Sequence, residues 1–155
     1  MKTFLFKSQR TVEQPITKVF EFFSNAHNLA KITPPSMHLE ILTPAPIDMC
    51  VGTRIDYQFK LHGIPVRWQT EITEWNPPYG FADEQHRGPY RLWRHTHTFD
   101  ETENGVVVGD VVEYGVWGNG VVNKLFVRPD IEKIFAYRSE QLDEIFRHRK
   151  NRTAP

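Results

Sequence analysis

The chain has 155 residues, 39% hydrophobic and 25% charged, which is the composition of one globular domain and excludes a disordered chain. Lysine plus arginine and aspartate plus glutamate number 19 each, so the formal charge is zero and the basic excess of a phosphate-tracking nucleic-acid binder is missing. Eleven Phe, five Tyr and four Trp supply rigid apolar area for a dense core or a large apolar pocket.

Cys50 is the single cysteine, so no intrachain disulfide forms, and its thiol is expected as buried filler rather than as a nucleophile. The N-terminal apolar run turns polar by Lys7, too early for a signal peptide, and no apolar run approaches the ~20 residues of a membrane span. A cytoplasmic protein without stable membrane insertion is the expectation.

In chain order, residues 3–12 alternate (Phe4, Phe6, Ser8, Arg10, Val12) and predict a first strand. Pro15 suits a helix start. Val19, Phe20, Phe22, Phe23 and Leu29 follow at helical spacing, broken near Ser24-Asn25 into two short helices, and Thr33-Pro34-Pro35 ends that region. From residue 38 the period becomes two. His38–Leu42, Arg54–Leu61, Val66–Glu74, Tyr79–Gln85, Arg91–Phe99 and Val106–Val116 predict six strands, separated by Pro44-Ala45-Pro46, His62-Gly63-Ile64-Pro65, Asn76-Pro77-Pro78, Gly88-Pro89 and Asn104-Gly105. Connections this short imply an antiparallel meander. Residues 119–127 predict a short helical turn. Pro129 then opens a helix to about His148, and Lys150–Pro155 is a frayed tail.

The order predicts an α+β domain over residues 1–155: a seven-stranded curved antiparallel sheet wrapped around a long C-terminal helix, with two short helices between strands one and two. Curvature of the sheet around that helix leaves room for a cavity.

Several segments carry a family resemblance: Asn28-Leu29 with Ile32-Thr33-Pro34-Pro35, Ile55-Asp56-Tyr57, Gly63-Ile64-Pro65 with Trp68, Asp83-x-Gln85 into Gly88-Pro89-Tyr90, Trp93, His95 and His97, and Ile134-Phe135-Ala136-Tyr137-Arg138. Together with the element order they resemble the START-like, or SRPBCC, superfamily, and within it a bacterial ligand-binding branch related to polyketide cyclase/dehydrase and lipid-transport proteins. The resemblance spans nearly the whole chain. It implies the helix-grip fold with a deep apolar ligand cavity, in one START-like domain. It does not choose among the superfamily's activities.

Side chains alternate along a strand, so parity decides which face the helix. Arg91, Trp93, His95, His97 and Phe99 form the inward set of the sixth strand, because Leu92, Arg94, Thr96 and Thr98 form a solvent-facing one. Tyr79, Phe81, Asp83 and Gln85 oppose it from the fifth strand. Val108, Asp110, Val112, Tyr114 and Val116 face in from the seventh, Trp68, Thr70 and Ile72 from the fourth, and Ile55, Tyr57 and Phe59 from the third. The parity therefore buries Asp83, Gln85, His95, His97 and Asp110, polar groups that cost roughly 1–3 kcal/mol each unless partnered. A bracing hydrogen-bond network, the polar end of an aromatic pocket, and a catalytic site all fit that set. Asp110 falls near His95 or His97, where a carboxylate fixes an imidazole tautomer.

Gly88, His95-x-His97, Glu101 and Gly105 loosely resemble the first metal motif of cupins. The glycine spacings depart from that motif and no second His-bearing motif follows, so no metal or other cofactor is expected. His27, His38, His62, His86 and His148 are expected in solvent. The Arg147–Lys150 cluster suits a helix C-terminus.

On the terminal helix, Ile131, Ile134, Phe135, Leu142, Ile145 and Phe146 share one stripe, and Arg138 falls within it. Its guanidinium either snorkels out, pairs with Asp83 or Asp110, or presents donors to a ligand oxygen.

The expected partner is a small hydrophobic or amphipathic ligand, lipid-like or aromatic, in a pocket of at least ~300 Å³. Its wall is predicted from Tyr57, Phe59, Trp68, Thr70, Phe81, Asp83, Gln85, Trp93, His95, His97, Asp110, Tyr114 and Arg138. The alternative is a cyclase- or dehydratase-type enzyme using His95 or His97 as acid-base residue in the same cavity. No nucleic-acid partner is expected, and the sequence carries no signal for the oligomeric state.

Overall fold

A computed structural model of the chain describes residues 1–151, with side chains through Arg147. Seven strands, β1 (Phe4–Val12), β2 (Glu40–Ile41), β3 (Arg54–Leu61), β4 (Ile64–Asn76), β5 (Gly80–Arg87), β6 (Leu92–Thr102) and β7 (Gly105–Gly115), form one antiparallel sheet in the order β1-β7-β6-β5-β4-β3-β2. The first helix, α1 (Ile16–Ser24), follows Pro15, and a 3-10 segment follows at Ala26–Ile32. Between them Asn25 accepts the His27 amide on its side chain, which caps the second segment as the first ends.

After β7, the Asn119 side chain accepts the amides of Val121 and Val122 and opens α2 (Gly120–Val122). A π-helical turn at Asn123–Val127 leads into the long helix α3 (Arg128–Asn151), with Pro129 in its first turn. The side chains of His148, Arg149 and Lys150, and residues 152–155 of the expected tail, lie outside the described residues.

The stripe on α3 holds. Ile131, Phe135, Arg138, Leu142 and Phe146 are buried at spacings of three and four. They meet the inward faces of β6 and β7, where His95, His97, Phe99, Val106, Val108, Asp110, Val112 and Tyr114 are all buried. The core divides in two. One cluster joins α1, the ends of β6 and β7 and the C-terminal part of α3 around Phe20, Phe99 and Leu142. The other joins β1, β7 and the start of α3 around Phe6, Tyr114 and Phe135.

Several expectations are corrected. The second strand shrinks to Glu40–Ile41, and β4 starts earlier, at Ile64. That extension follows from a turn of only two residues, His62 and Gly63, with φ of 50° and 78°, a left-handed pair that closes a tight hairpin. Cys50 is exposed, its Sγ 3.3 Å from the Thr53 hydroxyl. Tyr79 precedes the first paired residue of β5 and is exposed. Arg91 likewise precedes β6 and is exposed, its guanidinium 5.0 Å from the Trp117 ring centroid.

Candidate functional site

Strand register sets the polar centre. Asp83 on β5 lies opposite His95 on β6, and His97 lies opposite Asp110 on β7. The hydrogen bonds cross this register. His95 Nε2 is 2.7 Å from Asp110 Oδ1, and His97 Nε2 is 2.8 Å from Asp83 Oδ2. Each imidazole thus takes the carboxylate that faces the other, which the stacking of the two rings permits: their centroids are 3.7 Å apart at 28°. Phe81 stacks on His97 at 4.1 Å, and Phe135 approaches His95 at 5.5 Å, so apolar rings flank the pair.

Each carboxylate has a further partner. Thr70 donates its hydroxyl to Asp83 Oδ1 at 3.0 Å, and Arg138 Nη1 donates to Asp110 Oδ1 at 3.1 Å. Of the alternatives for Arg138, the structure takes the buried pair with Asp110. Arg138 Nε and Trp68 Nε1 find no oxygen or nitrogen partner. Both side chains rest on aromatic rings instead, with the guanidinium 4.9 Å from the Phe135 centroid and Trp68 perpendicular to Trp93 at 5.4 Å.

Burial works against charge on both carboxyls, yet both are held below the usual carboxylate range. For Asp83 the His97 hydrogen bond and the field of the two histidines prevail; for Asp110 the Arg138 charge and the His95 hydrogen bond do. Burial lowers His97 to about 4, with the His95 field adding to it and Asp83 opposing. An ionised carboxylate only accepts, so both Nε2 atoms carry the hydrogen. Neutral His97 is therefore the Nε2–H tautomer, and its Nδ1 is a buried lone pair without a partner, 3.7 Å from Asp110 Oδ1.

The polar centre forms part of the wall of a cavity of about 200 Å³ between β3–β6, α3 and the 25–49 segment. Of the predicted residues, Tyr57, Phe59, Trp68, Thr70, Phe81, Asp83, Trp93, His95, His97 and Arg138 line it. Three do not. Gln85 folds back on its own loop, donating to the Tyr90 carbonyl at 2.9 Å and accepting the Tyr90 amide at 3.1 Å. Asp110 stands behind the histidines, and Tyr114 is buried with its hydroxyl on Asn123 Oδ1 at 3.0 Å.

Other wall residues were missed: Tyr90, Asp130, and Leu29, Met37, Leu39 and Met49 from the segments between α1 and β3. Leu29 stands in the helical spacing, Leu39 in the expected strand from His38 and Tyr90 beside Gly88-Pro89, whereas no periodicity marks Met37 or Met49. His62 is exposed as expected, but its Nε2 lies 2.9 Å from Asp130 Oδ2 and joins the β3–β4 turn to the start of α3.

Asp83, His95 and His97 also bring donor atoms within 4.8 Å of one another. Stacked imidazoles point their in-plane lone pairs side by side, while metal ligation needs them to converge on one point. The arrangement suits proton and hydrogen-bond chemistry better than a metal.

No protein-family model matches the chain, and no curated protein sequence does. Solved structures do match. The ZhuI aromatase/cyclase from Streptomyces sp. R1128 superposes with a TM-score of 0.74 at 13% identity, covering 96% of each chain. Ginseng major latex-like protein 151 from Panax ginseng gives 0.70 at 12%, covering 93% of this chain and 97% of its own. Protein Ms6760 from Mycobacterium smegmatis gives 0.69 at 17%, with 91% and 89% covered. The chain has the helix-grip fold. The expected helix-grip architecture therefore holds, and at these identities the fold alone is what is shared. In this helix-grip chain no described helix is long and apolar enough to cross a membrane.

Proposed function

We propose that this chain binds a small ring-bearing hydrophobic or amphipathic molecule between the sheet and α3. The observation that carries the reading is the cavity: a partly open space walled by Tyr57, Phe59, Trp68, Tyr90 and Trp93, with the Asp83, His95 and His97 group in its wall. Its volume of about 200 Å³ falls below the ~300 Å³ at which drug-sized pockets start, and above the ~150 Å³ that holds benzene in an engineered core. One or two fused rings fit that size, and a two-chain lipid does not. Structural relatives named as an aromatase/cyclase and a major latex-like protein are compatible with ring-shaped ligands, without naming one for this chain.

Calorimetric titration with 2-naphthalenemethanol tests it. Saturable 1:1 binding with a negative heat-capacity change is expected, as for burial of apolar surface. The substitution Ala26→Trp, which fills the cavity from its far wall, should abolish that binding. Non-saturable heat, or binding unchanged by the filled cavity, would overturn the reading.

A second reading has an observation of its own. A carboxylate accepts from each imidazole, the arrangement that orients an acid-base histidine. On this reading the chain is a cyclase- or dehydratase-type enzyme acting on an enolisable polyketide-like substrate, with His95 or His97 transferring the proton. Replacing both histidines by Gln separates the two: a binder keeps its affinity for 2-naphthalenemethanol, whereas an enzyme loses turnover by ~10²-fold or more.

A further inference from the structure

We propose that the cavity selects a small aromatic ammonium ion, an arylalkylamine of one or two rings, over neutral and acidic molecules of the same shape. This rests on the ligand-binding reading above and names the class of ligand. The ionisable side chains in and directly behind the wall carry the argument. Three carboxylates, Asp83, Asp110 and Asp130, face one guanidinium, Arg138. Arg138 spends its charge on Asp110 behind the wall through Nη1, while its guanidinium lies over the Phe135 ring and its Nε has no oxygen or nitrogen partner among the described residues. Among the described residues no lysine or second arginine lines the cavity.

Two carboxylates are left over: Asp130, whose oxygens lie 3.1 and 2.9 Å from His62 Nε2, and Asp83, which stands beside the two stacked imidazoles. The bonded partners of Asp83 are the Thr70 hydroxyl and the imidazole of His97, and neither an ammonium nor a guanidinium bonds to it. The side chain keeps 16% of its surface, so it is not sealed off as Asp110 is at 6%. Burial and the Asp83 charge push the Tyr57 phenol up against the opposing Arg138 charge, so the field of Asp83 reaches the aromatic wall and outweighs that of the guanidinium there.

The rings reinforce the selection. Tyr57 stacks on Trp68 at 6.0 Å, Trp68 meets Trp93 edge to face at 5.4 Å, and Tyr90 sits 4.7 Å from Trp93. Ring faces carry the negative part of the quadrupole and attract a cation. An ammonium group at Asp83 with its aromatic body among these rings satisfies both the charge and the apolar wall. A carboxylate in the same place meets a second carboxylate in a site of low polarity, where repulsion is poorly screened.

The test is a shape-matched series on the full chain at pH 7: 2-(aminomethyl)naphthalene, 2-naphthalenemethanol and 2-naphthoic acid, each titrated by calorimetry. The amine should bind at least about tenfold more tightly than the alcohol, a difference of ~1.4 kcal/mol, and the acid should bind weakest. Asp83→Asn should bring the amine to within about threefold of the alcohol measured on the same variant, ~0.7 kcal/mol. If the alcohol binds as tightly as the amine, or the acid binds more tightly than both, the charge selection is wrong and the cavity-binding reading survives. If none of the three binds, both readings fall. The comparison within the unsubstituted protein decides the matter even if Asp83→Asn does not fold.

Discussion

At the scale of single residues, the crossed histidine–aspartate pairs make stability depend on pH. His97 ionises at about 4 when folded against the ordinary 6.5, so between those values the unfolded chain binds the proton and the folded chain does not. A depressed value means that the contribution is complete above about 6.5 and is lost as pH falls towards 4. The shift corresponds to about 3 kcal/mol. Asp83 and Asp110, both depressed, extend the loss further into acid. Urea midpoints should therefore fall steadily from pH 6.5 to pH 4, and His97→Gln should flatten that slope; a variant with the wild-type slope would remove His97 from the explanation. The Arg138–Asp110 pair makes a separate claim. Arg138→Met leaves Asp110 buried without its cation and should cost about 3–5 kcal/mol, most of it recovered in the double variant with Asp110→Asn. A single variant as stable as the wild type would mean that the guanidinium does not hold the carboxylate.

At the scale of elements, the strands show what the sequence makes legible and what it hides. Between β6 and β7 the register is unbroken, and parity places His95, His97, Phe99, Val108, Asp110, Val112 and Tyr114 inside. The α3 stripe was equally plain, because apolar spacing needs no partner to be recognised. Parity does not say which inward group reaches the open space: Asp110 and Tyr114 point in and are covered by their neighbours. Nor does it survive a bulge. The β4–β5 register shifts between Gln69 and Thr70, and again between Ile72 and Glu74, each shift setting one extra residue against its partner strand. Gln85 lies beside the first shift and serves the Gly88–Tyr90 loop instead of the cavity. A Cβ on Gly88 would collide with the Gln85 side chain, which shows how closely that loop closes over the amide. Gln85→Ala removes both hydrogen bonds to the Tyr90 backbone and should cost about 1–3 kcal/mol. Hydrogen exchange at the Tyr90 amide should accelerate while the amides of β6 keep their protection; unchanged exchange would mean that the loop is held by something else.

At the scale of the whole molecule, the two apolar clusters lie on either side of the histidine–aspartate–arginine band, and the cavity opens beside that band. A core divided in this way gives up packing at its centre, since rings and carboxylates stand where aliphatic side chains would make continuous contact. The charged groups have partners, so the band costs less than isolated charges. What remains unfilled is the space of about 200 Å³, and a molecule that fills it binds the folded chain and not the unfolded one. Linkage then sets the size of the effect. A free ligand at one hundred times its dissociation constant adds about 2.7 kcal/mol to folding, which for a domain of this length is a rise in Tm of about 5–10 °C. The rise should continue with the logarithm of ligand concentration above saturation, because the unfolded state has no site to compete. Ala26→Trp, with the cavity filled, should show no rise with the same compound. Scanning calorimetry over a hundredfold range of 2-naphthalenemethanol measures both. A Tm that stops rising at saturation, or rises equally in the filled variant, would place the ligand somewhere other than between sheet and helix.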